Sequence, residues 1–279
     1  MPADTQTPVL RFDRVSVAFD DVPALIDVSF QAYEGESRVI MGATGSGKTV
    51  LLKTALGLQR PDSGTVYVFG KDISRMRERE LFEIRSKIGM LFQESALFDS
   101  LNVEENVSYP LLNQLSIHCP SNEVLPRVEE ALKFVDLEGT LEKFPSELSG
   151  GMRRRAAIAR AVVTQPPLLL YDSPTAGLDP ITAYTIIHLI VKERDLNKTT
   201  TLIVTYRYQD GNLVANFRYN PENGRLERAG NHAGSQGGGA APSTVFMVLR
   251  EGRLVFEGPQ AEIEASKDPY ISHFVKHRG

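Results

Sequence analysis

The chain has 279 residues, 42% of them hydrophobic and 24% charged, which is an ordinary composition for a chain holding one or two packed layers around a buried core. A formal net charge of −4 supplies no global positive field, so composition argues against a nucleic-acid partner and against unaided adsorption on an anionic bilayer. The single cysteine, Cys119, excludes an internal disulfide framework. The opening MPADTQTP has neither the basic nor the apolar region of a secretory leader, and no apolar run approaches the roughly 20 residues that cross a bilayer, so the expected location is the cytoplasm.

In chain order, residues 9–19 and 24–32 alternate apolar and polar side chains with β-branched enrichment, which predicts two half-buried strands joined by a turn. Residues 37–41 form a short apolar strand running into GATGSGKT, and 50–58 have helical spacing with few breakers, so the order is strand, loop, helix. Residues 66–69 read as a further strand. From about 95 to 164 helical patterns dominate, including 123–135, and predict an inserted helical subdomain. LLLYD (168–172) and TTLIVT (200–205) have the character of strands covered on both faces, with a helix over 183–194 between them. From about 220 to 243 the composition shifts to Gly, Asn, Pro and Ser, which predicts a flexible Gly-rich insertion. TVFMVLREGRLVFEG reads as a hairpin turning near Glu251 and Gly252, and 269–276 as a terminal helix. The expectation is a single α/β domain over 1–279. It has a mainly parallel sheet, an N-terminal antiparallel β subdomain and the helical insertion.

The strongest chemical signal is the run Gly42, Ala43, Thr44, Gly45, Ser46, Gly47, Lys48, Thr49, which matches GxxxxGK[ST] after a strand and before a helix. Its glycines let the backbone bend so that successive N–H groups face phosphate oxygens, and the helix that begins there, Val50 included, adds a favourable dipole. Lys48 neutralises β- and γ-phosphate charge, and the Thr49 hydroxyl suits Mg²⁺ bridging the same phosphates. A Gly-rich turn without function is the weaker reading in this context. LLLYD ends in Asp172, a carboxylate at the carboxyl end of a buried strand; alone it would read as a turn-former, but paired with the phosphate loop it reads as support for Mg²⁺. ATP with Mg²⁺ is the expected ligand.

Further motifs stand in order around these two. ELSGGM carries Ser149, Gly150 and Gly151; MLFQES carries Gln93; and Ala176 to Asp179 follow LLLYDSPT. Together they resemble the ATPase subunits of ABC transporters. That resemblance covers most of the chain and implies a P-loop NTPase core, with Gln93 joining Thr49 and Asp172 as Mg²⁺ ligands and Phe19 lying under adenine. It also implies a head-to-tail ATP sandwich in which the Ser149–Gly151 turn serves the nucleotide of a second subunit, and it counts Asp179, in the D-loop Ala176 to Asp179, among the nucleotide-binding residues. Physically, Ser149 can cap the helix that follows while backbone donors face an anion. FQESALFDSLNVEENV, LSGGMRRR and DPYISHF narrow the resemblance to Mla-type lipid-transport ATPases. Arg153, Arg154 and Arg155 read as a solvated helix face.

Two departures from the family pattern fall on one site. Ser173 follows Asp172 where the family has the general-base Glu, and Tyr206 follows LIVT where the family has a switch His. A Ser hydroxyl has no useful basicity near neutral pH, and a tyrosine cannot carry charge as an imidazolium does. The catalytic set implied by the family is therefore Lys48, Gln93, Asp172, Ser173 and Tyr206, with its last two members altered. Three readings follow. In the first, the chain is a transport ATPase subunit held on the cytoplasmic face of the inner membrane by a separate permease. In the second, it is a hydrolytically feeble or regulatory ATP-binding subunit that pairs, not as a homodimer, but with an unlike and active ATPase. In the third, it is a soluble non-transport ABC protein.

Overall fold

The computed structural model describes residues 7–229 and 243–276. The chain begins with β1 (Leu10–Phe19) and β2 (Val22–Ala32), joined at Asp20 and Asp21, both at positive φ, a region that aspartate visits more readily than bulky residues. β1 buries Leu10, Phe12, Val15 and Val17; the spacing slips by one residue between Phe12 and Val15, where Arg14 sits at φ 50° and the register shifts. This bulge keeps the apolar side chains on the inner face. β3 (Ser37–Met41) is buried along its whole length and leads through the phosphate loop into α1 (Lys48–Ala55). Leu51 and Leu52 of α1 are fully buried, so Leu52→Ala should cost about 2–5 kcal/mol of stability.

β4 (Ser63–Val68) and β5 (Lys71–Asp72) complete an antiparallel sheet in the order β2-β1-β4-β5, followed by α2 (Glu78–Arg85) and β6 (Ile88–Leu91). Three helices come next: α3 (Val103–Asn113), α4 (Ser121–Phe134) and α5 (Gly150–Val162). α3 starts in a capping box. Asn102 Oδ1 accepts the Glu105 N–H at 2.8 Å and Glu105 Oε2 accepts the Asn102 N–H at 2.9 Å, satisfying two otherwise orphan donors. β7 (Leu168–Asp172), α6 (Pro180–Asn197) and β8 (Thr200–Val204) follow. α6 starts three residues before the helix expected from periodicity, because Asp179 caps it and Pro180 is pre-set for the first helical position.

After β8 come α7 (Tyr208–Asn216) and the antiparallel pair β9 (Phe217–Asn220) and β10 (Arg225–Arg228). The flexible insertion expected over 220–243 is therefore corrected at its start. Asn220 ends one strand, and a Gly224 turn feeds the next; buried Arg194 supports this pair by donating to the Val214 and Phe217 carbonyls at 2.6 and 3.0 Å. Residues 230–242 lie outside the described residues. The chain closes with β11 (Thr244–Arg250), β12 (Arg253–Gly258), α8 (Gln260–Glu264) and α9 (Pro269–Lys276).

The main sheet is six-stranded in the order β12-β11-β3-β8-β7-β6, parallel throughout except for β12. Val39, Ile40 and Met41 of β3, Leu168, Leu169 and Leu170 of β7, and Leu202, Ile203 and Val204 of β8 are all fully buried, as expected for parallel strands covered on both faces. One face packs α1 and the antiparallel subdomain, the other α5 and α6. The order matters for function because β3, β8 and β7 are neighbours, with Ile40 opposite Val204 and Val204 opposite Asp172. Their carboxyl ends therefore open into one crevice, where ligands of open α/β sheets bind.

Candidate nucleotide site

The phosphate loop leaves β3 at Gly42. Gly47 is the point where its conformation is most restricted: φ is 100°, and a Cβ there would lie 2.3 Å from the Ala24 carbonyl oxygen. Only glycine meets both conditions, and Gly47 is also the N-cap of α1. Ala43, Thr44, Gly45 and Thr49 are exposed, Lys48 and Val50 half-buried, and Ser46 buried. Lys48 Nζ donates to the Gly42 and Ala43 carbonyls at 2.9 and 2.7 Å, so the ammonium lies across the mouth of its own loop. Burial lowers the Lys48 pKa, and the negative charge of Asp172 opposes that shift. This electrostatic link connects the lysine to the aspartate that ends β7. The Ala43 N–H donates to the Tyr270 hydroxyl at 2.9 Å, which in turn donates to the Leu249 carbonyl at 3.0 Å. The terminal helix thus braces the loop through Tyr270, a residue that sequence reasoning placed in a helix and in the DPYISHF run but gave no part in the nucleotide site.

These groups fit Mg-ATP. An open turn of exposed backbone, a helix N-terminus and a lysine suit an anion, and the Thr49 hydroxyl with the Asp172 carboxylate offers hard oxygen donors of the kind Mg²⁺ takes. Gln93 is exposed on the segment that follows β6, and Phe19 presents a 47%-exposed ring at the end of β1, free to meet a planar base.

Ser173 and Tyr206 sit where the sequence places them, one residue beyond Asp172 and two beyond Val204. Ser173 is buried at φ 48°, its N–H donates to the Val204 carbonyl at 2.8 Å, and its hydroxyl donates to Asp172 Oδ1 at 3.3 Å. The hydroxyl is thus turned toward its neighbour's carboxylate. Tyr206 is 53% exposed. Between them lies a tie that sequence reasoning missed. Buried Asp210 accepts hydrogen bonds from Thr175 at 2.6 Å and Thr205 at 2.7 Å, joining the segment after β7 to the one after β8. Burial raises the Asp210 pKa against the lowering effect of both hydroxyls and of Arg207.

Ser149 caps α5, its Oγ accepting the Met152 N–H at 3.2 Å, while Ser149 and Gly150 remain exposed. A Cβ on Gly151 would come within 2.7 Å of Thr182 Cγ2, so glycine lets the start of α5 approach α6 closely. Asp179 accepts the N–H groups of Ile181 and Thr182, each at 3.0 Å, and its pKa is lowered chiefly by the Thr182 side-chain and backbone hydrogen bonds. Its role within this chain is a helix cap.

Within the arginine run, Arg153 is exposed as expected of a solvated face and Arg155 half-buried, whereas Arg154 departs from that expectation. Arg153 donates to the Leu148 carbonyl, Arg155 to those of Val135 and Asp136, and Arg154, 6% exposed, to those of Phe92, Gln93 and Ala176. Carbonyl-rich loops around α5 turn Arg154 inward.

The sequence matches the ABC transporter family over residues 25–176. It is 38% identical over 250 residues to the intermembrane phospholipid transport system ATP-binding protein MlaF of Haemophilus influenzae, covering 90% of this chain and 83% of that one. It is 34% identical over 252 residues to the probable ribonucleotide transport ATP-binding protein mkl of Mycobacterium leprae, of which it spans 64%. Among solved structures, cbiO1 of Clostridium perfringens aligns with a TM-score of 0.74 and 27% identity, covering 93% of this chain and 92% of that one. A dimeric ATP-binding cassette, MJ0796, bound to ADP and Pi, aligns with a TM-score of 0.72 and 28% identity, covering 90% and 98%. The fold and these likenesses together establish that the chain belongs to the ABC transporter family, as its ATP-binding domain.

Proposed function

We propose that this chain is the nucleotide-binding subunit of a membrane transporter, holding Mg-ATP firmly and hydrolysing it slowly. One observation carries this reading: Lys48, Thr49 and Asp172 converge on one crevice, while the positions expected to activate water there hold Ser173 and Tyr206. The phosphate loop and Lys48 bind the phosphates, Thr49, Asp172 and Gln93 hold the metal, and Phe19 stacks on the base. When bound there, Mg²⁺ would offset phosphate charge. Neither a serine hydroxyl bonded to a carboxylate nor a phenol readily takes a proton from water near neutral pH.

The likeness to a dimeric cassette supports a second ATPase subunit as a partner, facing the exposed Ser149 and Gly150. The names of the curated relatives speak of transport and, for MlaF, of phospholipid, and so support a transport role with lipid as a substrate class. A separate permease as the other partner, with membrane attachment through it, is supported by membership of the transporter family. No described helix is long and apolar enough to cross a membrane. Phe98 and Tyr109 rings 4.7 Å apart, with Leu112 61% exposed one turn along α3, give an apolar patch for the permease to cover. An intact signature beside an altered water-activating wall favours, as a second reading, pairing with an unlike and active ATPase.

Equilibrium binding of a fluorescent ATP analogue, with and without Mg²⁺, tests the first step. Binding should tighten with the metal, and Asp172→Asn should remove most of that gain while leaving metal-free binding. Absence of any nucleotide binding in the parent chain would overturn the proposal.

A further inference from the structure

We propose that Arg154 is a positioning residue that links occupancy of this chain's own ATP cradle to the set of the signature turn it offers a second subunit. The inference rests on reading residues 42–49 and 149–151 as two half-sites for two nucleotides. Arg154 lies on α5, the helix that Ser149 caps, so it moves with that cap. Its Nη1 donates to the Phe92 carbonyl at 3.2 Å and to the Gln93 carbonyl, and its Nη2 donates to the Ala176 carbonyl at 3.3 Å. One planar guanidinium therefore holds both the segment carrying Gln93 and the segment that runs from Asp172 to Asp179. Both segments face this chain's own nucleotide, whereas α5 faces the partner's.

Lysine could not reproduce this arrangement, because a guanidinium presents its donors in a rigid fork and an ammonium is a point charge. The side chain is buried, and its Nε–H has no acceptor among the described residues. A buried donor without a partner is costly, so the present arrangement is not the one that satisfies this side chain best. A shift of residues 92–93 or 173–176 as nucleotide binds can supply that acceptor, and α5 follows the guanidinium. Arg160, further along α5, donates to the Ser95 and Ala96 carbonyls at 2.8 and 2.7 Å and fixes the far end of the same loop. The loop is thus anchored at one end and joined at the other to a side chain shared with a second loop.

Amide hydrogen exchange of the full chain, with and without Mg-ATP and at two protein concentrations, tests this. In the parent, protection should appear at 42–50 and also at 148–153, the latter slowing by about fivefold or more, the lower end of typical coupling between sites. The response at 148–153 should persist at the lower protein concentration. Arg154→Met should keep the protection at 42–50, which also reports that it is folded, and lose the response at 148–153; Arg154→Lys should lose most of it. A parent response confined to 42–50, or one at 148–153 that either variant retains in full, overturns the inference. Missing protection at 42–50 in the parent would instead overturn the ATP-binding reading beneath it.

Discussion

The cradle at 42–50 and the wall formed by Ser173 and Tyr206 face the same crevice, yet they depend on sequence in different ways. The cradle is mostly backbone: Gly47 at φ 100° against the Ala24 carbonyl, exposed amides, and a helix start. Its chemistry survives as long as the main chain can adopt that path. The wall is side-chain chemistry on a frame that remains complete. Ser173 still donates its N–H to Val204, and Asp210 still ties Thr175 to Thr205. Substituting the reacting side chains therefore leaves the strand ends in register. Binding a nucleotide and hydrolysing it can thus separate in one protein without a change of fold.

The largest expected effect restores the wall. Ser173→Glu with Tyr206→His should raise phosphate release by about 10²–10⁴, the usual contribution of a general base, with little change in ATP affinity. Equal and brisk turnover in the parent chain would break the contrast. Lys48→Ala attacks the cradle instead. Removing one partner of a charge-assisted phosphate contact costs about 2 kcal/mol or more, so ATP affinity should fall about thirtyfold in either background, as measured by equilibrium titration. Phe19→Ala should be milder. Loss of base stacking is worth about 1–3 kcal/mol, and the loss should be smaller for inorganic triphosphate, which has no ring to stack.

What could be read from sequence follows the same division. The phosphate loop, LLLYD and the signature are contiguous runs whose meaning lies in local backbone geometry, so their residues could be named before any coordinate was known. The two substitutions were equally plain, each standing directly after a contiguous strand run, Ser173 after LLLYD and Tyr206 after LIVT. Arg154 was not. A charged residue one turn into a helix reads as solvated, and only the fold shows that carbonyls of Phe92, Gln93 and Ala176, distant in sequence, surround it. Tyr270 braces Ala43 across 227 residues, a contact no spacing rule reaches. The β9–β10 pair escaped notice because its strands are four residues each and carry Arg218, Arg225 and Arg228; its stability comes from Arg194 and Asp195 beneath it, the latter accepting the Tyr219 N–H at 2.8 Å.

The smallest expected effect concerns the frame that both halves share. Asp210 is 2% exposed, accepts from Thr175 and Thr205, and has Arg207 at 3.8 Å. Burial is the largest influence on it and raises its pKa above the ordinary 3.8, with the two hydroxyls and Arg207 offsetting part of the shift. The folded state therefore holds the proton to a higher pH than the unfolded chain does. As pH rises from 3.8 through that window the folded state binds more protons, and stability falls with pH until both states are ionised. Asp210→Asn keeps a carbonyl oxygen for the two hydroxyls and has no charge to desolvate. Its melting temperature relative to the parent should thus climb as pH rises above 3.8 and level off once Asp210 is ionised in both states. A gap that widens toward acid instead would mean that the hydroxyls and Arg207 outweigh burial. The tie between the strand ends would then depend on the charge itself, and the frame would be less independent of side-chain chemistry than the intact register suggests.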